Sequence, residues 1–239
     1  MSDTLFSIRG AKGGYLRGIN ILHGVDLDIR QGEAVGILGL NGSGKSSLGK
    51  AIMNLLPFRE GTFILEGSDV SSIDTEGLAN LGIKMMFQGG QVFQTLSVWD
   101  NMRLVREKND EKKYQDLCSI VPLLNQSEQW MKGMMADKLS GGQRHQLALA
   151  MTLASDPKMV ILDEPSAGLS PKAVDAMYKL LDEVRDRYNL TIILIEQNVA
   201  RAIEYCDRCL LLQQGLIGKQ FSRGDIKNLE IEMFNSTQK

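Results

Sequence analysis

The stretch Gly39-Leu-Asn-Gly-Ser-Gly-Lys-Ser46 sets three glycines, a lysine and a hydroxyl at fixed spacing, a combination suited to holding an anion. Glycines let successive backbone N–H groups turn toward one anion, and a helix that starts at Lys45 adds the positive end of its dipole. Asn41, Gly42, Ser43, Gly44 and the adjoining Ser47 belong to the same stretch. Lys45 supplies a point charge for the outer phosphates of a nucleotide, and the Ser46 hydroxyl is an oxygen ligand for the magnesium that travels with them. In a chain of this length the pattern arises by chance at about one per cent, so the flanking elements must decide between a cradle and a plain glycine-rich turn.

Four other places carry groups of the same kind. Ser140-Gly-Gly-Gln143 opens a helical pattern, with Ser140 as its cap and two glycines that let an anion approach the exposed N–H groups. It is a second potential phosphate site, and one nucleotide does not need two. The apolar run Met159-Val-Ile-Leu ends in Asp163 and Glu164; the first can hold magnesium through water, and the second can order a water for attack on a terminal phosphate. Gln88 follows the strand pattern Gly82 to Phe87, and if that strand lies beside the cradle strand its neutral amide ends where ligands of open α/β sheets bind. Tyr15, in the glycine-rich stretch Gly13 to Arg17, is either a surface tyrosine or a stacking platform for an adenine.

These groups need elements to place them. Ala34, Val35, Ile37 and Leu38 read as a buried strand before the cradle, and Leu48, Ala51, Ile52, Leu55 and Leu56 as one face of a helix after it that Pro57 closes. Residues 5–8, 25–29 and 62–66 alternate as half-exposed strands and predict an antiparallel sheet. Helices are expected near 97–107 and 111–124. Leu147, Ala148, Met151 and Ala154 form one face of the helix after Gln143. Pro171 opens another helix, Leu190 to Ile195 is a buried strand, 199–206 is helical, and a hairpin turns at Gln213-Gln-Gly215. The tail from Asp225 is expected to be helical before it frays.

Composition narrows the classes. A net charge of -2 over 239 residues, without a basic stripe, argues against nucleic acid as a partner. The apolar runs are strand-length, so no bilayer span is expected, and there is no signal-peptide pattern at the N-terminus. Three cysteines fit a reducing compartment, and Cys206-x-x-Cys209 reads as two small apolar residues rather than a zinc or redox pair, because no second pair or histidine completes it.

Taken together, these residues resemble the ABC ATPases, the nucleotide-binding subunits of ATP-binding-cassette transporters, over nearly the whole chain. Gly39 to Ser46 is similar to the Walker A loop, Tyr15 to the adenine-contacting aromatic, Gln88 to the Q-loop, Leu139 to Gln143 to the signature, Val160 to Asp163 to the Walker B strand and Glu164 to the catalytic glutamate. The resemblance implies an α/β P-loop NTPase with a mostly parallel core sheet, an antiparallel β subdomain and a helical insertion. It implies one domain over 5–239, with 1–88 and 157–239 as the core and 89–156 as the helical subdomain that carries the signature. It also implies ATP and Mg2+, with Ser46, Gln88 and Asp163 on the metal, Lys45 against the phosphates, Glu164 on water and Gln197 at the switch position.

The implied partners are a second ABC ATPase subunit, the same or a homologous chain, an integral membrane permease and, indirectly, a solute-binding protein. The chain would be peripheral, on the cytoplasmic face of the membrane. Two such subunits meet head to tail, with each ATP between one Walker A loop and the other signature, which accounts for the second phosphate site. Position 170 is Ser where the family has Asp, and Gln197 stands where it has histidine. A glutamine keeps a neutral donor but cannot change protonation, which implies either slower hydrolysis or a partner that supplies the intact site. With Leu-Ile-Glu-Gln-Asn at 194–198, these features are similar to the ATPases of branched-chain amino acid uptake and to importers of urea and short amides. Gln94, where that family has proline, and Gly49 depart from it. The alternative is an ATP-gated clamp or regulatory cassette with weak hydrolysis.

Overall fold

Alternating burial in Leu22, Val25, Leu27 and Ile29, with Asp26, Asp28 and Arg30 outside, makes one strand half-exposed, while Ala34 to Leu38 is wholly buried. The two kinds of strand belong to different sheets. The computed structural model describes residues 4–105 and 111–222. Along the chain run β1 (Thr4–Gly14), β2 (Leu22–Arg30), β3 (Ala34–Leu38), α1 (Lys45–Ile52), β4 (Phe58–Leu65), β5 (Ser68–Asp69), α2 (Thr75–Asn80), β6 (Ile83–Met86), α3 (Val98–Val105), α4 (Glu111–Ile120), α5 (Glu128–Gly133), a 3-10 turn at Ala136–Lys138, α6 (Gly141–Leu153), β7 (Met159–Asp163), α7 (Pro171–Tyr188), β8 (Thr191–Ile195), α8 (Val199–Tyr205), β9 (Arg208–Gln213) and β10 (Leu216–Ser222). They fall into two compact units, Met1–Ile83 with Thr191–Lys239, and Lys84–Leu190. The expected helical tail from Asp225 lies outside the described residues.

In the first unit β2, β1, β4 and β5 form an antiparallel sheet in that order. Phe6 pairs with Ile29 on one side and Leu65 on the other, and Ile8 with Leu27 and Phe63, so the apolar faces of three strands coincide. β1 extends to Gly14; Gly13 and Gly14 are therefore strand residues, and the loop that bears Tyr15 starts two residues later than the glycines suggest.

The second sheet of this unit is parallel at its centre. β3 pairs parallel with β8, Val35 to Ile193, and on its other side with β9, Gly36 to Cys209. Runs such as Thr191-Ile-Ile-Leu-Ile195 are buried on both faces, as parallel strands must be. Both sides of β3 are thus taken, so β6, the strand before Gln88, is not a neighbour of the cradle strand. β9 turns back as β10 through Gln214 and Gly215, both left-handed (φ 46° and 74°), the pair of torsions a two-residue hairpin needs. Cys206 and Cys209 are buried thiols packed on β3: a Cβ at Gly36 would lie 2.6 Å from the Cys209 sulfur. Glycine there leaves room for both, and an added methyl would cost about 1–3 kcal/mol of overpacking.

α1 is shorter than its apolar spacing predicts. It stops at Ile52, because Asn54 is left-handed (φ 53°) and its amide is held by the Ile73 carbonyl at 2.9 Å, while Thr75 binds the Met53 carbonyl. Leu55 is therefore exposed instead of lying on the helix face.

The second unit is mainly helical around β7, every residue of which is buried. α6 buries His145, Leu147, Ala148, Leu149, Ala150 and Leu153; its buried side is wider than one stripe, and Met151 is only half-buried. α7 begins on a Ser170 cap with Pro171 in the first turn and ends on left-handed Asn189. Fully buried Asn101 accepts from the Phe93 N–H at 2.9 Å and donates to its carbonyl at 3.0 Å, which fixes the loop ahead of α3.

Candidate nucleotide site

The turn between β3 and α1 has the backbone its glycines predict. Gly39, Gly42 and Gly44 all have positive φ, 155°, 81° and 103°, and a Cβ at Gly39 would lie 2.3 Å from the Leu212 carbonyl and 2.6 Å from the Ser43 hydroxyl. The β9–β10 turn supports it, since the Gly215 N–H donates to the Ser43 carbonyl at 3.0 Å. Lys45 is buried, and its ammonium folds back onto the carbonyls of Gly39 (2.8 Å) and Leu40 (3.1 Å), holding the loop as a ring. Gly44 caps α1 without a side-chain hydrogen bond.

Ser43 lies within this ring with its hydroxyl buried and unpaired among the described residues. Natural structures rarely leave such a group without a partner, and a phosphate oxygen would give it one. Ser47 is buried, Ser46 half-buried, and Asn41 exposed at the lip of the turn. Tyr15 is exposed; the Lys50 ammonium donates to its hydroxyl at 3.2 Å and sits 5.3 Å from the ring centre. One side of the ring is thus steadied from α1.

Gln197 is exposed just beyond the C-terminal end of β8. The buried Glu196 beside it accepts from the backbone N–H groups of Gln197 (3.1 Å) and Asn198 (3.4 Å), and its own N–H donates to the Ile37 carbonyl of β3. Sequence reasoning missed Glu196. A charged residue that directly follows a five-residue apolar strand was the available signal.

In the second unit β7 delivers Asp163 and Glu164, both buried. Glu164 is left-handed (φ 50°), a conformation that costs a non-glycine residue about 1–2 kcal/mol and is kept only where its surroundings fix it. The exposed Gln88 donates its amide to the Glu164 carboxylate at 2.6 Å, across 76 positions of sequence. Two candidates read separately from the sequence are therefore direct partners.

The Ser140 turn is a complete capping box. The Ser140 hydroxyl accepts from the Gln143 N–H at 3.3 Å, and the Gln143 side chain accepts from the Ser140 N–H at 3.0 Å. Gly142 also has a packing role, since a Cβ there would meet the Ala173 methyl at 3.3 Å. One turn on, His145 is buried with Nδ1 2.9 Å from the Gly141 carbonyl, and its Nε2 is unpaired among the described residues. Burial pulls its pKa below 6.5 against the opposing effect of that carbonyl, with the Arg144 charge lowering it further. His145 also escaped the sequence reading, because a lone histidine within an apolar helix carries no spacing signal.

Ser46 in the first unit offers a hydroxyl, and Asp163 and Gln88 in the second offer a carboxylate and an amide oxygen; each is an oxygen donor of the kind magnesium prefers. Among the described residues no cluster of three His, Cys, Asp or Glu could hold a metal alone.

Comparison with known proteins gives a consistent result. Residues 22–167 match the family described as ABC transporter. The chain is 34% identical over 217 residues to the probable branched-chain amino acid transport ATP-binding protein LivF of Archaeoglobus fulgidus, covering 90% of this chain and 91% of that one. It is 30% identical to the lipopolysaccharide export system ATP-binding protein LptB of Escherichia coli K12, with 83% of each chain covered. Among solved structures, cbiO1 of Clostridium perfringens, described as part of the ABC transporter complex cbiONQ, superposes with a TM-score of 0.81 at 26% identity, covering 100% of this chain and 96% of that one.

Proposed function

We propose the following for this chain, which belongs to the ABC transporter family and is an ATP-hydrolysing subunit of a transporter: it drives import of branched-chain or other small neutral amino acids, or of urea or amides. It works as a head-to-tail pair with a second ABC ATPase subunit, the same or a homologous chain, under an integral membrane permease at the cytoplasmic face, with a solute-binding protein acting upstream. Similarity to LivF over 90% of the chain supports an amino-acid solute, and membership of cbiO1 in a transporter complex supports the permease. LptB, at 30% identity, serves lipopolysaccharide export, so the solute rests on LivF and the import direction on the Gln197 switch.

The observation that carries the catalytic reading is the Gly39–Ser46 turn, with the Ser43 hydroxyl unpaired among the described residues and Lys45 folded back. Phosphate oxygens take the loop N–H groups and Ser43, and Lys45 swings from its carbonyls to the outer phosphates. Ser46, Asp163 and Gln88 would hold Mg2+, which would supply charge neutralisation for phosphoryl transfer. Tyr15 stacks on the base, and Ser140, Gly141, Gly142 and Gln143 meet the nucleotide of the partner. Glu164 orients the attacking water, and Gln197 donates to the terminal phosphate.

The Gln88 amide neutralises part of the charge on one Glu164 oxygen, so the carboxylate is a stronger base toward water once that contact opens. This favours, as a second reading, a cassette that closes on ATP and hydrolyses it slowly unless its partner engages.

The test is uptake of labelled leucine, urea and acetamide by cells carrying Glu164→Gln in place of the native chain. Hydrolysis should fall at least about a hundredfold, the range of a lost general base, while an ATP-bound pair accumulates on size exclusion. Uptake of one solute should stop. Undiminished uptake of all three would remove the importer assignment.

A further inference from the structure

The imidazole of His145 has no part in the chemistry above, yet it touches both groups of the second unit that do. On one side Nδ1–H donates to the Gly141 carbonyl inside the signature turn, at 2.9 Å. On the other it lies against Gly90, two residues after Gln88. A Cβ at Gly90 would stand 3.1 Å from His145 Cα, 3.1 Å from Nδ1 and 3.2 Å from Cγ. Gly90 is left-handed (φ 61°), so the loop backbone lies directly on the ring with no side chain between. Gln88 then donates to Glu164 at 2.6 Å. The contacts run without a break from signature turn to imidazole, to the Gln88 loop, to the Glu164 carboxylate.

We propose that His145 is a positioning residue that couples the Ser140–Gln143 turn to the Gln88–Glu164 pair. The proposal rests on the reading that this turn meets the nucleotide of a partner subunit. Close-packed contacts shift as bodies rather than deform. When a phosphate engages the turn, Gly141 and the bound imidazole move together, the Gln88 loop follows, and the amide withdraws from the Glu164 carboxylate, which becomes a stronger base toward water. A neutral ring suits this coupling, because one nitrogen is fixed by the carbonyl while the other, buried and unpaired among the described residues, lets the ring slide without breaking a second bond.

A double-mutant cycle on the full chain tests it, with Mg-ATP turnover measured for His145→Ala, His145→Gln, Gln88→Ala and the Gln88→Ala, His145→Ala pair. His145→Ala should lower kcat about tenfold and leave KM for ATP within about twofold, because the Gln88 amide then stays on the Glu164 carboxylate and keeps it a weaker base. His145→Gln, whose amide can still donate to Gly141, should recover most of the loss. With Gln88 already removed, the further change from His145→Ala should stay within about twofold, as expected for residues that act as one unit. A tenfold loss that is the same with and without Gln88, a loss in KM alone, or no loss at all would overturn the role of His145. Size exclusion of Glu164→Gln with Mg-ATP is run in parallel. Absence of an ATP-driven pair would remove the head-to-tail reading and this inference with it, whereas a pair together with an additive cycle would remove only the inference.

Discussion

The turns Gly39–Gly44 and Ser140–Gln143 both carry glycines and both open a helix, but they differ in which polar groups they leave unmatched. The first has no side-chain cap, holds a buried hydroxyl at Ser43 that is unpaired among the described residues, and keeps the Lys45 charge on its own carbonyls. The second satisfies its cap internally through Ser140 and Gln143 and seats Gly142 against Ala173. The first leaves groups that a phosphate would complete, and the second is already a finished helix start. Glycine content alone does not separate the two. What separates them is where the nearest polar side chains spend their hydrogen bonds.

The comparison can be broken most directly at Lys45. Lys45→Ala should weaken ATP binding by about ten- to a hundredfold, the worth of a charge-assisted hydrogen bond to phosphate, as read by calorimetric titration. The unliganded melting temperature should move proportionately less. An affinity within about twofold of the parent would mean that the loop, not the charge, makes the site.

Ser140→Ala should show the reverse pattern. Loss of the capping box costs about 1 kcal/mol of stability, or roughly 2–4 °C in melting temperature without any nucleotide. ATP affinity of the isolated subunit should stay unchanged, since the turn is expected to serve the nucleotide of a partner. A fall in that affinity would contradict the division of labour between the two turns.

The smallest effect concerns pH and the second turn only. Burial holds the His145 pKa below 6.5, so the unfolded chain takes up a proton first as pH falls. Its contribution to stability is therefore complete above 6.5 and is lost as pH drops toward the folded value. Melting temperature should decline between about pH 7 and about pH 5.5 in the parent and less so in His145→Gln, measured by thermal denaturation at a series of pH values. Equal slopes would show that other groups set the acid sensitivity.

Much of the fold was legible in the chain. Alternation in residues 25–29 and the unbroken apolar run at 191–195 identified half-exposed and buried strands, because side-chain period follows backbone geometry whatever the neighbours are. The Ser140 cap and the Gln214-Gly215 turn were equally local. The end of α1 was not legible: Asn54 takes up a left-handed turn because the carbonyl of Ile73, nineteen positions away, is there to receive its amide. The side chains at Leu55 and Leu56 kept a helical spacing that the backbone abandoned.

The sequence by itself determined the residues that can face a phosphate, since glycines, a lysine and hydroxyls within eight positions act through the backbone they share. Only tertiary structure decided that Gln88 occupies Glu164, that Gly90 lies on His145, and that Gly36 makes room for Cys206 and Cys209. Each of these pairs spans dozens of residues. Local propensity has no term for such distances, and close packing, which tolerates neither a void nor an extra methyl, settles which side chains meet.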